Sequence, residues 1–425
     1  MIKEDYKDYI SRLAGIDHAA FLAAMALPAE TSIKLNRRKN PRGGEDSAIG
    51  RHLEEMPGVE AEPVKWCGSG FYLTSRPEFT LNPLLHGGAF YVQDASSMIY
   101  EWIMERILSF GTLPASPAVL DLCAAPGGKT TSLINALPDG SLVVANEYVP
   151  KRAKTLCENL LKWGYPDIIV TQGATQAYAR AGARFDVVAV DAPCSGEGMM
   201  RKDATACTQW SERLIEQCAA TQREILADAI EALRPGGYLI YSTCTFNTRE
   251  NEDNLRMLVE EHGLEPIDTN PPESWGIGRE IAGEYPALRF MPHLTRGEGL
   301  FAALLRKPSS SDDDAPAPKK WLDTLSKNTR ILLNGVPRTE KKGSREIPTT
   351  EYALSVAFDP KDCPTQEIGR EAALNYLRHQ AITLPEEAPR GPVAVAYRGI
   401  RLGIVNNLGT RANNLYPSEW KIKFK

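Results

Sequence analysis

The sequence predicts an α/β protein: a twisted, mainly parallel sheet in doubly wound order, with a smaller domain on either side. Three observations predict it. Apolar runs at 118–122, 142–146, 168–171, 185–190, 238–242 and 300–305 alternate with helical stretches, the pattern of repeated strand–helix–strand units. A run such as Phe185-Asp-Val-Val-Ala-Val190 reads as a strand covered on both faces. Acids, cysteines and glycines gather just after these runs, where open α/β sheets bind their ligands.

Residues 1–90 read as a small mixed α/β domain. A helix over 6–26 carries apolar Tyr9, Ile10 and Leu13, and strands follow at 31–36 and 70–74. The segment Lys34-Leu-Asn-Arg37-Arg38-Lys39-Asn-Pro-Arg42 holds five basic residues and no acid, so it is either a solvated loop or an edge that contacts phosphate. Trp66, Phe71 and Tyr72 allow base stacking, but with Gly68 and Gly70 beside them they also suit packing in a small domain.

The second domain, 91–307, opens with Ala95, Met98, Ile99, Trp102, Ile103, Ile107 and Leu108 at helical spacing. Helices are expected at 130–136, 150–163, 209–233 and 248–262. The long one has Trp210, Leu214, Ile215, Cys218, Ile225, Leu226 and Ala229 on one stripe and stops at Arg234-Pro235-Gly236-Gly237. Residues 308–320, rich in proline, serine and aspartate, read as a flexible linker. A last small domain, 321–425, carries a helix at 371–379, a hairpin over 391–405 and a tail with Tyr416 and Trp420 among basic residues.

At 425 residues the chain is too long for one core. Lys plus Arg is 49 against 54 for Asp plus Glu, a net charge of -5, so any nucleic acid must be held by local patches. The start Met-Ile-Lys-Glu-Asp-Tyr lacks the apolar core of a signal peptide, and no apolar stretch approaches the ~20 residues that span a bilayer. A cytoplasmic protein with no membrane partner is expected. The eight cysteines show no C-x-x-C spacing, which argues against a metal site or a disulfide framework.

Three motifs carry chemistry. In Val119-Leu-Asp121-Leu-Cys123-Ala-Ala-Pro126-Gly127-Gly128-Lys129-Thr130 a strand meets a glycine turn and a helix. A P-loop of a nucleotide hydrolase would need glycine where Cys123 stands, and Asp121 would put negative charge beside its phosphates. An acid there suits a ligand with an ammonium or sulfonium group, and the glycines admit close backbone approach. Glu147 ends the next strand, where an acid accepts ribose hydroxyls. Together the two favour S-adenosylmethionine over ATP. The third motif pairs Asp191-Ala-Pro-Cys194 with Tyr241-Ser-Thr-Cys244, at the ends of neighbouring strands. A lone buried cysteine usually packs as a small hydrophobe; two beside a methyl donor point to catalysis by at least one. Carbon 5 of a pyrimidine is not nucleophilic until a thiolate adds to carbon 6, and loss of its proton after methylation lets the thiolate leave. A nearby acid assists that addition.

The strings YVQDASSM, VLDLCAAPGGKTT, VANE, DAPCSGEGMMRKD, LRPGGYLIYSTCTFNTRENE and TRGEGLFAALLRK, between Tyr91 and Lys307, resemble in combination the Sun/Fmu (NOP/Sun-type) RNA cytosine-5 methyltransferases. Within that family they resemble the bacterial RsmF-type branch acting on 16S ribosomal RNA. LGIVNNLGTRANNLYPSEWKIK resembles that branch's PUA-like RNA-binding tail. The resemblance implies a Rossmann-like methyltransferase core of seven strands between two RNA-positioning domains. It implies a monomer whose partner is small-subunit ribosomal RNA, free or in the assembled 30S subunit. It makes Cys244 the nucleophile and Cys194 the residue that assists product release. Cys123, Ala124, Ala125, Pro126, Gly127, Gly128 and Lys129 become the methyl-donor loop, Glu147 the ribose contact and Arg152 its support. Asp191 faces cofactor and cytosine together, and Lys129 is a structural or substrate-side cation. The chain departs from the family at Thr171-Gln172-Gly173-Ala174-Thr175, where an acid usually lies near the adenine; Gln172 or backbone groups must serve instead. Lys34 replaces a common arginine and Thr248 a common proline, with little consequence expected. Asn247-Thr248-Arg-Glu250-Asn-Glu252 reads as a helix cap with acids in the first turn. Alternatives are the same chemistry on transfer RNA and a non-catalytic RNA-binding ribosome-assembly factor.

Overall fold

Short apolar strands near the amino terminus pair into a small sheet. The computed structural model, which describes residues 3–40, 45–279, 281, 283–309 and 318–423, begins with helices α1 (Glu4–Ile10) and α2 (His18–Met25). The one helix expected over 6–26 is thus two: Gly15 turns the chain at φ +76° and the Asp17 carboxylate caps α2 by accepting from the Ala20 N–H. Strand β1 (Thr31–Leu35), helix α3 (Glu45–Leu53), strands β2 (Ala61–Val64) and β3 (Cys67–Leu73), helix α4 (Pro83–His86) and strand β4 (Phe90–Val92) follow. The strands form one antiparallel sheet, β2-β3-β1-β4. Trp66, Phe71 and Tyr72 are buried in the core, which leaves no ring face for base stacking.

The basic segment is not a solvated loop. Lys34 is fully buried and donates to the Gly128 carbonyl at 3.0 Å, Thr131 at 2.9 Å and Ser132 at 2.5 Å. Arg37 pairs with Glu101 at 2.5 Å and Glu105 at 2.7 Å, and Arg38 pairs with Asp139. These side chains fasten the small domain to the core, so Lys34 has a larger consequence than its sequence suggests. Arg42 lies outside the described residues.

The core domain runs through α5 (Ile99–Ser109), β5 (Ala118–Asp121), α6 (Gly128–Ala136), β6 (Leu142–Glu147), α7 (Pro150–Trp163), β7 (Ile168–Gln172), α8 (Gln176–Arg180) and β8 (Phe185–Asp191). It continues with α9 (Ala204–Gln209), α10 (Glu212–Ala232), β9 (Leu233–Thr243), α11 (Glu252–Glu260), β10 (Glu265–Ile267), β11 (Leu288–Phe290) and β12 (Leu300–Arg306). The helix expected over 209–233 breaks at Trp210, which leaves the apolar stripe to pack edge-on against Tyr6 at 5.0 Å; Ser211 then caps α10. The next elements are α12 (Pro318–Leu325) and β13 (Arg330–Asn334).

One nine-stranded sheet results, ordered β10-β12-β9-β8-β5-β6-β7-β13 with β11 beside β12. Strands β5 to β9 are mutually parallel; β10 to β13 pair antiparallel to their neighbours. Chain order reverses at β5, between β6 and β8, and opens the crevice of a doubly wound sheet. Strands β11 and β13 extend the expected seven to nine. β13 pairs Arg330 with Gln172, and Trp321 packs on Phe185 at 5.4 Å, so the chain returns to the core sheet after residue 318 instead of starting a separate domain at 321. Residues 310–317 of the expected linker lie outside the described residues.

The last domain comprises β14 (Thr339–Lys342), β15 (Arg345–Pro348), α13 (Thr350–Leu354), β16 (Thr365–Glu367), α14 (Arg370–Leu377), β17 (Gly391–Tyr397), β18 (Ile400–Asn407) and β19 (Ala412–Asn414). Arg398 and Gly399, both at positive φ, make the tight turn of the expected hairpin. Tyr416 and Trp420 are buried. This domain seats on α7, where the Gly164 carbonyl accepts from the Val356 N–H at 2.9 Å and Ser355 Oγ at 3.1 Å. Beside it Asn36 donates to the carbonyls of Gly88 and Trp163, at 3.0 and 2.8 Å. Gly88 has φ +66°, and a Cβ there would collide with the Lys162 carbonyl. Gly88→Ala is therefore expected to cost ~1–3 kcal/mol in a thermal unfolding measurement. Among the described residues no helix is long and apolar enough to cross a membrane.

Candidate active site

The turn after β5 is shaped by what surrounds Asp121. Gly127 adopts φ +109° at the start of α6, and a Cβ there would press on Leu156 at 3.3 Å, so only glycine lets the turn lie close on α7. Asp121 is 1% exposed; Thr130 Oγ1 donates to its Oδ2 at 2.7 Å, while its Oδ1 meets no hydrogen-bond partner. Leaving such an oxygen unpaired costs ~1–3 kcal/mol, which a ligand's amino or sulfonium group would offset. The donor set therefore fits S-adenosylmethionine. Burial, with help from Asp191, pushes the Asp121 carboxyl up to about 7. Between its ordinary 3.8 and about 7 the unfolded chain is ionised here and the folded chain protonated, so this group lowers stability as pH rises through that window. A cationic ligand prefers the ionised form. Affinity for S-adenosylmethionine is expected to rise as pH is raised through about 7, and Asp121→Asn to flatten that dependence in titration calorimetry.

Glu147, buried at the end of β6, accepts from the Val149 N–H at 2.8 Å. Arg152 lies 3.5 Å from it and donates to the Ala125 carbonyl at 2.8 Å, tying the acid to the loop after β5. Cys123 is kept a thiol by burial and by Asp121. Gln172 stands level with Glu147 across the β6–β7 pair, and Gly173 abuts Thr329 too closely for any Cβ. Tyr148, 69% exposed beside these groups, offers an apolar face that the sequence patterns did not single out.

The two cysteine loops leave the sheet at one level because β8 and β9 are parallel neighbours with Asp191 opposite Ser242. The sulfurs of Cys194 and Cys244 lie 3.2 Å apart. Asp191 accepts from Lys129 Nζ through Oδ2 and from Ser242 Oγ through Oδ1, both at 2.8 Å, and Tyr100 OH lies 2.7 Å from Ser242 Oγ. Burial by itself would lower Lys129, but the charge and hydrogen bond of Asp191 outweigh it and hold the ammonium above its ordinary range. Cys194 is pushed well up, first by its hydrogen bond to Cys244 and then by burial, so it remains a protonated thiol facing the other sulfur. The fold thus brings Lys129, Asp191, Cys194 and Cys244 together, with Asp121 on the neighbouring β5, opposite Ala189, and Glu147 and Arg152 on the adjoining side.

Two carboxylates missed by the sequence reading fix that arrangement. Glu197, from the Cys194 loop, is fully buried and accepts from the N–H groups of Phe246 and Asn247 at 2.5 and 3.0 Å and from Trp210 Nε1 at 3.2 Å. Glu250, from the Cys244 loop, accepts from the Ser195 N–H at 3.0 Å and its hydroxyl, from Gln222 at 2.7 Å and from Asn247 at 2.8 Å. Each loop thereby holds the other. The helix-cap reading of 247–252 holds in part: Asn247 Oδ1 accepts from the Glu250 N–H at 2.9 Å and Glu252 and Asp253 lie in the first turn, but α11 starts only at Glu252, which is itself committed to a buried ion pair with Arg289 at 2.5 Å. The one sequence signal was a glutamate between two glycines after a buried strand, which is too common to single out a site.

Residues 2–95 match the N-terminal domain of 16S rRNA methyltransferase RsmF, residues 113–306 match 16S rRNA methyltransferase RsmB/F, and residues 363–422 match the methyltransferase RsmF PUA domain. The chain is 38% identical to ribosomal RNA small subunit methyltransferase F of Erwinia tasmaniensis, over 94% of its own length and 92% of that protein's. It is 30% identical to the protein of the same name from Shewanella amazonensis, over 94% and 93% of the two chains. The crystal structure of a methyltransferase homologue from Pyrococcus horikoshii superposes with a TM-score of 0.59 at 25% identity, covering 71% of this chain and 93% of that one. With a Rossmann-like core, an amino-terminal domain and a PUA domain in the same order as these full-length relatives, the chain belongs to the RsmF family of 16S rRNA methyltransferases.

Proposed function

We propose that the chain methylates carbon 5 of a cytosine in 16S ribosomal RNA through a transient covalent bond between Cys244 and carbon 6. The observation that carries this reading is the pair of sulfurs 3.2 Å apart beside the Asp191–Lys129 pair. S-adenosylmethionine supplies the methyl group. Asp121 and the loop from Cys123 to Lys129 bind it, with Glu147, braced by Arg152, at the ribose and Gln172 toward the adenine. Cys244 adds to carbon 6 as thiolate, which makes carbon 5 nucleophilic; once carbon 5 carries the methyl, its proton passes to water, the carbon 5–carbon 6 double bond re-forms and the carbon–sulfur bond breaks with its electron pair returning to Cys244. Cys194, held as a thiol against Cys244, assists that release. Asp191 hydrogen-bonds the ring, and Lys129, paired with it at 2.8 Å, orients it. The target cytosine has to leave its stack to reach Cys244, so it lies in a loop or is flipped out. The enzyme works as a cytoplasmic monomer on small-subunit RNA, free or assembled.

The test is transfer of labelled methyl to 16S rRNA from a strain lacking this gene, followed by nucleoside digestion. Label in 5-methylcytosine supports the reading, and bisulfite sequencing names the base. Label in another nucleoside overturns it, and label in transfer RNA alone overturns the substrate. RNA binding without transfer would leave a ribosome-assembly factor.

A further inference from the structure

A cleft of about 170 Å³ opens at the junction of the three domains, lined by Arg38 and Lys39 from the amino-terminal domain and by Leu354, Val356, Ile400 and Arg401 from the carboxy-terminal one. Among the described residues no carboxylate lines it. Asp139 neutralises Arg38. Lys39 and Arg401 have no such partner: Lys39 donates only to the carbonyls of Gly87 and Lys162, at 2.7 and 2.6 Å. Arg401 donates to the carbonyls of Ala353 and Ser355, at 2.6 and 3.0 Å, and its guanidinium lies over the Phe358 ring, 4.6 Å from the ring centre. Burial pushes both groups below their ordinary range, and the charge of Arg401 pushes Lys39 down further.

A half-buried cation held by neutral carbonyls and not by a carboxylate is incompletely compensated. Lys39 and Arg401, facing one cleft that no carboxylate lines, therefore make a place suited to an anion. Both retain donors for it. Two of the three protons on Lys39 and two of the five on Arg401 are used by carbonyls. The planar fork of a guanidinium beside a compact ammonium suits the tetrahedral oxygens of a phosphate.

We propose that this cleft binds a phosphate group through Lys39 and Arg401, and that in the working enzyme the phosphate belongs to the backbone of the RNA substrate. The identity of the RNA rests on the function proposed above; the phosphate site itself does not. In this proposal the basic segment contacts phosphate at Lys39. The cleft lies at the far end of α7 from Glu147, and the 14 residues of that helix put roughly 20 Å between it and the donor side of the active site. A phosphate held there governs RNA affinity and salt dependence and leaves the methyl-transfer step untouched. It also means that a short RNA carrying only the target loop binds more weakly than a longer folded one.

The experiment uses the full chain. Thermal unfolding of the wild-type protein is followed in sodium phosphate and in sodium chloride at equal ionic strength, then repeated with Lys39→Met, Arg401→Gln and the charge-retaining Arg401→Lys. Phosphate is expected to raise the wild-type Tm over chloride, Lys39→Met and Arg401→Gln to abolish the difference, and Arg401→Lys to restore most of it. In parallel, 16S rRNA binding is measured against salt; each charge-removing variant is expected to lower the slope of log Kd against log salt by about 1. KM for RNA should rise about tenfold with kcat within about twofold. No phosphate effect on the wild type, with an unchanged RNA slope in a folded variant, overturns the proposal. A phosphate effect without any change in RNA slope overturns the RNA source and leaves a free-phosphate site. If a variant does not fold, absence of the wild-type phosphate effect still overturns the site. Failure of methyl transfer with both phosphate and RNA effects present counts against the proposed reaction and leaves the cleft in place.

Discussion

Cys244→Ala is expected to abolish methyl transfer, by roughly 10³-fold or more, while Cys194→Ala still bonds to RNA and fails to let go. The division of roles is the one implied by the resemblance of the Thr-Cys244 and Pro-Cys194 strings to the cytosine-5 methyltransferases. The sulfurs are 3.2 Å apart, so either is close enough to reach the base, and the variants tell the two apart. RNA containing 5-fluorocytosine, whose carbon 5 cannot lose a proton after methylation, traps the adduct for electrophoresis. Wild-type protein with methyl donor should be trapped, Cys244→Ala should not, and Cys194→Ala should accumulate adduct even on ordinary RNA. Identical behaviour of the two variants would remove the division of labour. Adduct formation by Cys244→Ala would exchange the roles.

Glu250→Ala is expected to reduce kcat by about 10²-fold, since a displacement near 1 Å at a reacting group costs that much. Glu250 accepts from Ser195, Gln222 and Asn247, and each of these buried donors left unpaired costs ~1–3 kcal/mol. The loop carrying Cys194 then loses its tie to the loop carrying Cys244. Glu250→Gln keeps the volume but turns an amide toward the donors of Gln222 and Asn247, so an intermediate loss is expected. Neither change touches the donor loop, and affinity for S-adenosylmethionine should stay within about twofold by calorimetry. A folded Glu250→Ala enzyme with wild-type kcat would show that the thiols are positioned by other contacts.

The legible part of this protein is local in sequence. Strands β5 to β9 announce themselves as unbroken apolar runs, and Asp121, Glu147, Asp191, Cys194 and Cys244 stand immediately after them, so strand order alone predicts that they converge. Helix α7 was read to the residue because Pro150 starts it and Gly164, at φ +81°, ends it. The failures have a common cause. Trp210 continues the stripe of α10 by spacing, yet leaves that helix because Tyr6, far away in sequence, offers its ring a better surface. Lys34 resembles any cation in a basic run until β1 is laid against α6 and its ammonium meets three oxygens. β13 follows a linker-like tract, and only the open edge of β7 draws it into the sheet.

The sequence by itself determined the doubly wound core and the placing of the glycine turn and of the two cysteines at strand ends, because strand periodicity and the residues at strand ends are properties of neighbouring positions. Only the tertiary structure decided how those thiols are held. The grip of Glu197 on the Cys244 loop and of Glu250 on the Cys194 loop depends on two turns meeting across β8 and β9, and the cleft that sets Lys39 beside Arg401 appears only once the amino- and carboxy-terminal domains have met. Hydrogen bonds between segments 49 and 55 residues apart, and the desolvation of a charge by distant chain, leave no periodic trace in the order of the residues.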